Sequence, residues 1–299
     1  MKPEQAFDRT VFQHGDLRFS AREMGEGPVV LCLHGFPDNL DSFRYQLPAI
    51  AKIGYRGISM ALRGYEPGSI PANGDYTVGA IATDVIAVLD QLGCDKAHLI
   101  GHDWGAAVAY TAAAAAPERF ESLIAMAVPH PGRFAREGLR IPRQLKNSWY
   151  MGFFNIPWLS DWAVRRRDYA FIQKLWRDWS PGWTPEAHVL EGVIRSLSQP
   201  GVLSASLGYY RAALSLQALT MRADDAHYPV PVATLALTGE LDGCIDSGVF
   251  EALTESEDFP RGLKLERVVG AGHFLHQERP EVVNELIIQW LLNRHAMLD

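Results

Sequence analysis

Short apolar runs alternate along this chain with longer stretches of helical periodicity, and this alternation limits the fold more than any other feature. Parallel strands need crossover helices on both faces of their sheet, and they appear in sequence as near-continuous apolar runs. The sequence therefore predicts an α/β fold with a mostly parallel central sheet, whose polar site lies at the carboxyl ends of the strands. Strand-like runs occupy residues 28–33, 58–62, 97–101 and 123–128, and helical spacing occupies residues 81–92 and 106–116.

The middle of the chain differs from the rest in composition and in its hydrophobic pattern. Residues 133–228 contain no strand-like run but hold six of the eight tryptophans, and their 13 basic and 8 acidic residues contrast with the net charge of −7 of the whole chain. Strand character resumes at residues 232–238 and 263–269 and is followed by an amphipathic helix at 280–292. We therefore expect a core domain, residues 1–132 and 229–299, interrupted by a helical cap domain, residues 133–228.

Composition excludes several classes of protein. An acidic chain of this kind is by default a poor nucleic-acid binder. The longest run of small apolar residues, 106–116, is too short to span a bilayer, and residues 1–10 lack the apolar core of a signal peptide. Three scattered cysteines favour reduced thiols over a disulfide framework. We expect a cytoplasmic monomer or homodimer.

One motif indicates the chemistry. Residues 101–105 read Gly-His-Asp-Trp-Gly between a predicted strand and a predicted helix, which is the spacing that a strained strand-to-helix turn requires around a nucleophile. The central residue is Asp103 and not serine. A carboxylate that attacks a saturated carbon leaves an ester, which water can cleave, whereas a serine would leave a stable ether. Asp103 therefore indicates displacement at an alkyl carbon followed by ester hydrolysis.

Two further groups complete a candidate triad. His273 follows the last predicted strand and could deprotonate the water that attacks the ester. Asp242, at the end of the preceding strand, would orient this histidine. Asp246 and Glu240 are nearby alternatives for the acid.

A pair of backbone amides could stabilise the oxyanion of the second step. Phe36 follows His-Gly at the end of an early strand, and Trp104 follows the nucleophile directly. Their N–H groups would then face the ester carbonyl oxygen of Asp103.

These residues together resemble the α/β-hydrolase superfamily across nearly the whole chain, with nucleophile, acid and histidine in that family's order. Within it, His-Gly-Phe-Pro at 34–37 and the motif at 101–105 are similar to the epoxide hydrolases, as are Leu-Arg-Gly-Tyr at 62–65 and the Pro-Gly-Ser that follows at 67–69.

The resemblance implies two cap tyrosines that donate to the epoxide oxygen. Tyr150 matches the first position, and Tyr210 matches the second in preference to Tyr209, because the family pattern is aromatic-Tyr-Arg. It also implies a substrate pocket formed by Trp104, Phe36, Trp149, Tyr150 and Tyr210.

The implied substrates are a small apolar epoxide and water. No cofactor or metal is expected, since the sequence has no dinucleotide fingerprint, P-loop or metal-ligand cluster. The nearest alternative is a haloalkane dehalogenase, which uses the same aspartate but usually has asparagine where this chain has Phe36. A non-catalytic binding protein on the same fold is the alternative from another class, and the complete triad disfavours it.

Overall fold

A computed structural model describes residues 7–215 and 228–295 of the chain, and in this part it contains one eight-stranded sheet. The strands are β1 Asp8–His14, β2 Leu17–Met24, β3 Val29–Leu33, β4 Arg56–Met60, β5 Ala97–His102, β6 Phe120–Met126, β7 Thr234–Gly239 and β8 Leu263–Val268. Their order in the sheet is β1-β2-β4-β3-β5-β6-β7-β8, and all neighbouring pairs from β4 to β8 are parallel. The α/β expectation is therefore confirmed.

Strands β1 and β2 were not predicted from the sequence. They form a hairpin, and β2 pairs antiparallel with β4 at one edge of the sheet. Only scattered residues of this hairpin are buried, such as Phe12, Phe19 and Ala21. An edge hairpin that is half exposed carries a weak apolar pattern, which explains why a search for continuous apolar runs overlooked it.

Helices cover both faces of the sheet because successive side chains of each strand point to opposite faces. Leu31 and Leu99 belong to one buried cluster, whereas the adjacent Val30 and Ile100 belong to a second cluster on the other face. The helices of the core are α1 Gln46–Lys52, α2 Val78–Gln91, α3 Trp104–Ala115, α10 Ser247–Ala252, α11 Leu275–Glu278 and α12 Pro280–His295. Helices α2 and α3 pack into the first cluster, and α1 and α12 pack into the second.

Between β6 and β7 the described residues form helices and no strand. These helices are α4 Pro131–Arg136, α5 Pro142–Asn147, α6 Trp149–Phe154, α7 Leu159–Trp179, α8 Ala187–Leu197 and α9 Val202–Ala213. Helix α7 is broken at residues 166–169, where Arg167, Asp168 and Tyr169 have positive φ angles. We call α4–α9 the cap helices; the boundaries 133–228 stay a prediction, and part of that segment lies outside the described residues.

Hydrogen bonds fix the cap helices to loops of the core. The Trp176 indole donates to the Pro37 carbonyl at 2.9 Å, and the Tyr209 hydroxyl donates to the Arg63 carbonyl at 2.7 Å. The Trp179 carbonyl accepts the His273 amide at 3.0 Å. The last turn of α7 therefore lies directly on the loop that follows β8. No helix in the described part of the chain has the length and apolar character needed to cross a membrane.

Candidate active site

Asp103 occupies a strained turn between β5 and α3. Its φ of 53° and ψ of −123° are rarely adopted by residues other than glycine, and such strain occurs where the surrounding structure enforces it. Close packing enforces it here: a Cβ on Gly105 would lie 2.0 Å from the Leu33 carbonyl oxygen, and one on Gly35 would lie 2.3 Å from Asp103 Oδ1. The two glycines allow the turn to press against the end of β3, so that the carboxylate projects above the sheet.

The two oxygens of the Asp103 carboxylate have different surroundings. Oδ1 accepts the backbone amide of Phe36 at 2.7 Å. Oδ2 lies 3.5 Å from Nε2 of His273. Trp104 begins α3, where a backbone amide has no carbonyl within the helix to bond, so it stays the predicted second donor toward Oδ1.

His273 and Asp242 form a buried pair. Nδ1 of His273 lies 3.0 Å from Oδ2 of Asp242, and the other oxygen of Asp242 accepts the amides of Cys244 at 2.7 Å and Ile245 at 3.0 Å. These amides fix the carboxylate, which in turn fixes the ring so that Nε2 faces Asp103. The structure thus brings the three predicted triad residues together.

The alternative acids are engaged elsewhere. Asp246 caps α10 through the amides of Gly248 and Val249 and pairs with Arg143 at 2.6 Å. Glu240 accepts the amide of Gly270 at 2.9 Å. Neither contact leaves a carboxylate oriented toward His273, which favours Asp242 as the acid.

The electrostatics of the site centre on His273. Burial alone would lower the pKa of this imidazole, but the charges and hydrogen bonds of Asp242 and Asp103 outweigh burial and raise its pKa to about 10. In the free protein His273 is therefore an imidazolium at neutral pH, placed between two carboxylates.

The pKa of His273 should fall when the charge on Asp103 is removed. We expect Asp103→Asn, which keeps the size of the side chain, to lower this pKa from its value of about 10, because Asp103 is one of the two groups that raise it. The measurement is an ¹⁵N NMR titration of the His273 ring, with Asp246→Asn as a control that removes a nearby charge outside the triad. An unchanged His273 pKa in Asp103→Asn would contradict the assigned contact.

Two buried tyrosines of the cap lie close enough to the Asp103 carboxylate to interact with its charge. The rings of Tyr150 on α6 and Tyr210 on α9 are 5.7 Å apart in an edge-to-face contact. Burial raises the pKa of both phenols well above the usual value, and the charge of Asp103 raises each further, so both phenols are protonated and close to that carboxylate. The adjacent Tyr209 donates its hydroxyl to the core at Arg63, which leaves Tyr210 as the residue that faces the site.

The comparisons with known proteins agree with this geometry. Residues 28–280 match the α/β hydrolase fold family. The chain is 35% identical over 285 residues to human "Epoxide hydrolase 4", a match that covers 92% of this chain and 76% of the relative. The chain belongs to the epoxide hydrolase family of the α/β hydrolases.

Other members of the epoxide hydrolase family and of the wider superfamily extend the match. A Bacillus subtilis protein named "AB hydrolase superfamily protein YfhM" is 31% identical over 93% of this chain and 95% of its own length. The crystal structure of a Bacillus megaterium epoxide hydrolase in complex with an inhibitor superposes with a TM-score of 0.82 and 26% identity, covering 94% of this chain and 99% of that one. The likeness therefore includes both the core and the cap.

One residue predicted for the epoxide hydrolase pocket is not brought to the site. Trp149 is half exposed, and its ring packs against Phe153 and Phe171. The expectation that it binds substrate is corrected on this ground: the inward position on α6 is taken by the next residue, Tyr150, and consecutive residues of a helix face different directions.

Three residues missed in the sequence complete the walls of the site. Trp179 packs 5.0 Å from the rings of both Tyr150 and His273, and Phe154 packs 5.0 Å from Tyr210, measured between ring centroids. The Cys244 sulfur lies 3.2 Å from the Tyr150 hydroxyl. The many aromatic residues of the predicted cap indicated side chains such as Trp179 and Phe154, whereas nothing in the sequence around Cys244 indicated a place in the site.

Asp103, Cys244 and His273 each offer a possible metal-ligand atom, and these atoms lie within 4.8 Å of one another. Each side chain already has a partner: Asp103 accepts the amide of Phe36, His273 pairs with Asp242, and Cys244 contacts Tyr150. We therefore assign no metal to this cluster.

Proposed function

We propose that this protein is an epoxide hydrolase that converts a small apolar epoxide into a vicinal diol through an ester on Asp103. The observation that carries the proposal is the pair of protonated, buried phenols, Tyr150 and Tyr210, close to a buried carboxylate on a strained turn. Carboxylate and phenols supply the nucleophile and the proton donors that opening of an epoxide ring requires. The names of the relatives support the same activity.

In the first step Oδ2 of Asp103 is the attacking atom, since Oδ1 is held by the amide of Phe36. Oδ2 forms a bond to one epoxide carbon, and the bond from that carbon to the epoxide oxygen breaks. The electron pair of this bond stays on the epoxide oxygen, where the hydroxyls of Tyr150 and Tyr210 donate hydrogen bonds and a proton. The product is a hydroxyalkyl ester of Asp103.

In the second step His273 acts as the base. Esterification removes the negative charge of Asp103, one of the groups that raise the pKa of His273, so the ring releases its proton more readily at this stage. This proton restores the phenol that protonated the epoxide oxygen. Neutral His273 then deprotonates a water, which attacks the carbonyl carbon of the Asp103 ester. The negative charge develops on Oδ1, beside the Phe36 amide. The bond from the carbonyl carbon to Oδ2 then breaks, and the diol leaves with the original Oδ2 atom and the proton that His273 took from water. The new carboxylic acid of Asp103 returns its proton to His273.

A parallel screen of styrene-oxide-like epoxides and 1-haloalkanes tests the activity. We expect formation of diol from the epoxides at a rate well above release of halide from the haloalkanes. Release of halide without formation of diol would favour a dehalogenase, and saturable binding without turnover would favour a binding protein.

Loss of both phenol hydroxyls should block ring opening. We expect Tyr150→Phe combined with Tyr210→Phe to lower the rate of ester formation by about 10³-fold or more, because the alkoxide loses its hydrogen-bond donors in a site from which water is excluded. The measurement is a rapid-quench assay of a single turnover. Tyr209→Phe is the matched control, since its hydroxyl bonds Arg63; an equal loss in the control, or a neutral effect of the double variant, would contradict the assigned role.

We also propose a cytoplasmic location. All three cysteines are free, and Cys32 and Cys244 are buried as thiols, which is typical of proteins from a reducing compartment. Solution scattering would distinguish between the two oligomeric states expected from the sequence, a monomer and a homodimer.

A further inference from the structure

The Tyr150 hydroxyl already has a partner in the free protein, and that partner is a thiol. Sγ of Cys244 lies 3.2 Å from the Tyr150 oxygen, and the cysteine is almost completely buried. The buried hydroxyl of Tyr210 instead interacts with the side chain of Trp104, and the centroids of these two rings lie 5.1 Å apart. The two phenols therefore have different partners.

The position of this thiol is set by both the cap and the core. Its backbone amide donates to Asp242, so Cys244 is fixed relative to the triad. Its carbonyl accepts the Gln144 side chain of α5 at 2.8 Å, and the same side chain accepts the amide of Asp246 at 3.1 Å. Gln144 therefore attaches this loop to the cap, next to the helix that carries Tyr150.

The thiol keeps its proton in this environment. Burial raises the pKa of Cys244 well above its usual value, and the negative charges of Asp242 and Asp103 raise it further. A protonated thiol can donate its proton in a hydrogen bond, and it is a poor nucleophile toward an electrophile bound beside it.

We propose that Cys244 is a positioning residue for ring opening, whose S–H donates to the Tyr150 oxygen while the Tyr150 O–H donates to the epoxide oxygen. A phenol oxygen has lone pairs that accept one hydrogen bond while its proton is given to another group. Donation from the thiol to a lone pair of the phenol oxygen fixes the rotation of the Tyr150 hydroxyl, so that its proton points toward the epoxide oxygen. The inference rests on the proposed epoxide hydrolysis.

Because of the proposed hydrogen bond from Cys244 to Tyr150, ester formation depends on Cys244, whereas ester hydrolysis does not. In a single turnover we expect Cys244→Ala to slow ester formation about threefold to tenfold, the range for loss of one hydrogen bond between uncharged groups. Ester hydrolysis should stay within about twofold. Cys244→Ser, which restores a donor at the same position, should recover most of the lost rate. Cys32→Ala is the matched control, because Cys32 is also buried but lies within β3.

A double-mutant cycle distinguishes the proposed hydrogen bond from Cys244 to Tyr150 from a general packing role of Cys244. When Tyr150 is already phenylalanine, Cys244→Ala should have no further effect on ester formation, whereas in a Tyr210→Phe background it should keep its full effect. Cys244→Val, also without a donor, replaces the alanine variant if that variant does not fold. An equal effect of Cys244→Ala with and without the Tyr150 hydroxyl, or no effect at all, overturns the proposal. Failure of the wild-type protein to form diol would overturn the proposed function instead, and the wild-type turnover is measured first.

Discussion

Asp103→Ala should abolish turnover of epoxides, with a fall in kcat of about 10⁴-fold or more, the scale seen when a covalent nucleophile is removed. No other described carboxylate can replace it: Asp242 is held by His273 and two amides, and the strained turn presents only residue 103 to the site. Formation of diol is followed by chromatography at saturating substrate.

The control for this variant is Asp246→Asn, which removes a carboxylate of the same region that caps α10 and does not contact the triad. We expect it to retain most of the wild-type kcat. Undiminished turnover in Asp103→Ala would remove the nucleophile assignment, and a loss in Asp246→Asn as large as that in Asp103→Ala would show that any disturbance of this region stops the reaction.

His273→Gln should stop the reaction after its first step. Asp103 and both tyrosines remain in place, so the ester still forms, whereas the attacking water has no base. We expect a protein whose intact mass is increased by the mass of the epoxide, with hydrolysis slowed by about 10²- to 10⁴-fold. Mass spectrometry of the protein shortly after mixing with the epoxide provides the measurement.

The surface residue His188, which lies on α8 and is exposed, supplies the matched control. His188→Gln should turn over at the wild-type rate and show no added mass. Rapid turnover by His273→Gln without any adduct would mean that another group activates the water.

Much of the fold could be predicted because three of the parallel strands, β3, β5 and β7, are buried along their whole length. Strands β3 and β5 end in the motifs that carry Phe36 and Asp103. The edge hairpin was missed because its strands are half exposed. The break in α7 at residues 166–169 has no local signal either, since three residues with ordinary side chains adopt left-handed conformations.

The triad could be predicted because its residues directly follow parallel strands, whose order along the chain indicates where they meet. Asp103, Asp242 and His273 follow β5, β7 and β8, and the carboxyl ends of parallel strands meet at one edge of the sheet. In the cap, the direction of a side chain depends on how its helix is rotated about its own axis. The sequence therefore did not distinguish the exposed Trp149 from the buried Tyr150.

The contact between Cys244 and Tyr150 was beyond the reach of sequence reasoning. It joins residues 94 positions apart, one on a cap helix and the other on a core loop, and no periodicity relates them. Only the docking of the cap onto the loop after β7 brings the thiol to the phenol.

The central claim is that the Asp103 carboxylate bonds to an epoxide carbon and is then released by attack of water at its own carbonyl. One turnover in H₂¹⁸O with enzyme in excess tests this claim most directly, with the peptide that contains residue 103 analysed by mass spectrometry. We predict that the heavy oxygen enters the Asp103 side chain, while the diol carries away an unlabelled oxygen from the protein. Heavy oxygen found in the diol and never in Asp103 would mean that water attacks the epoxide directly, and the covalent mechanism would be wrong.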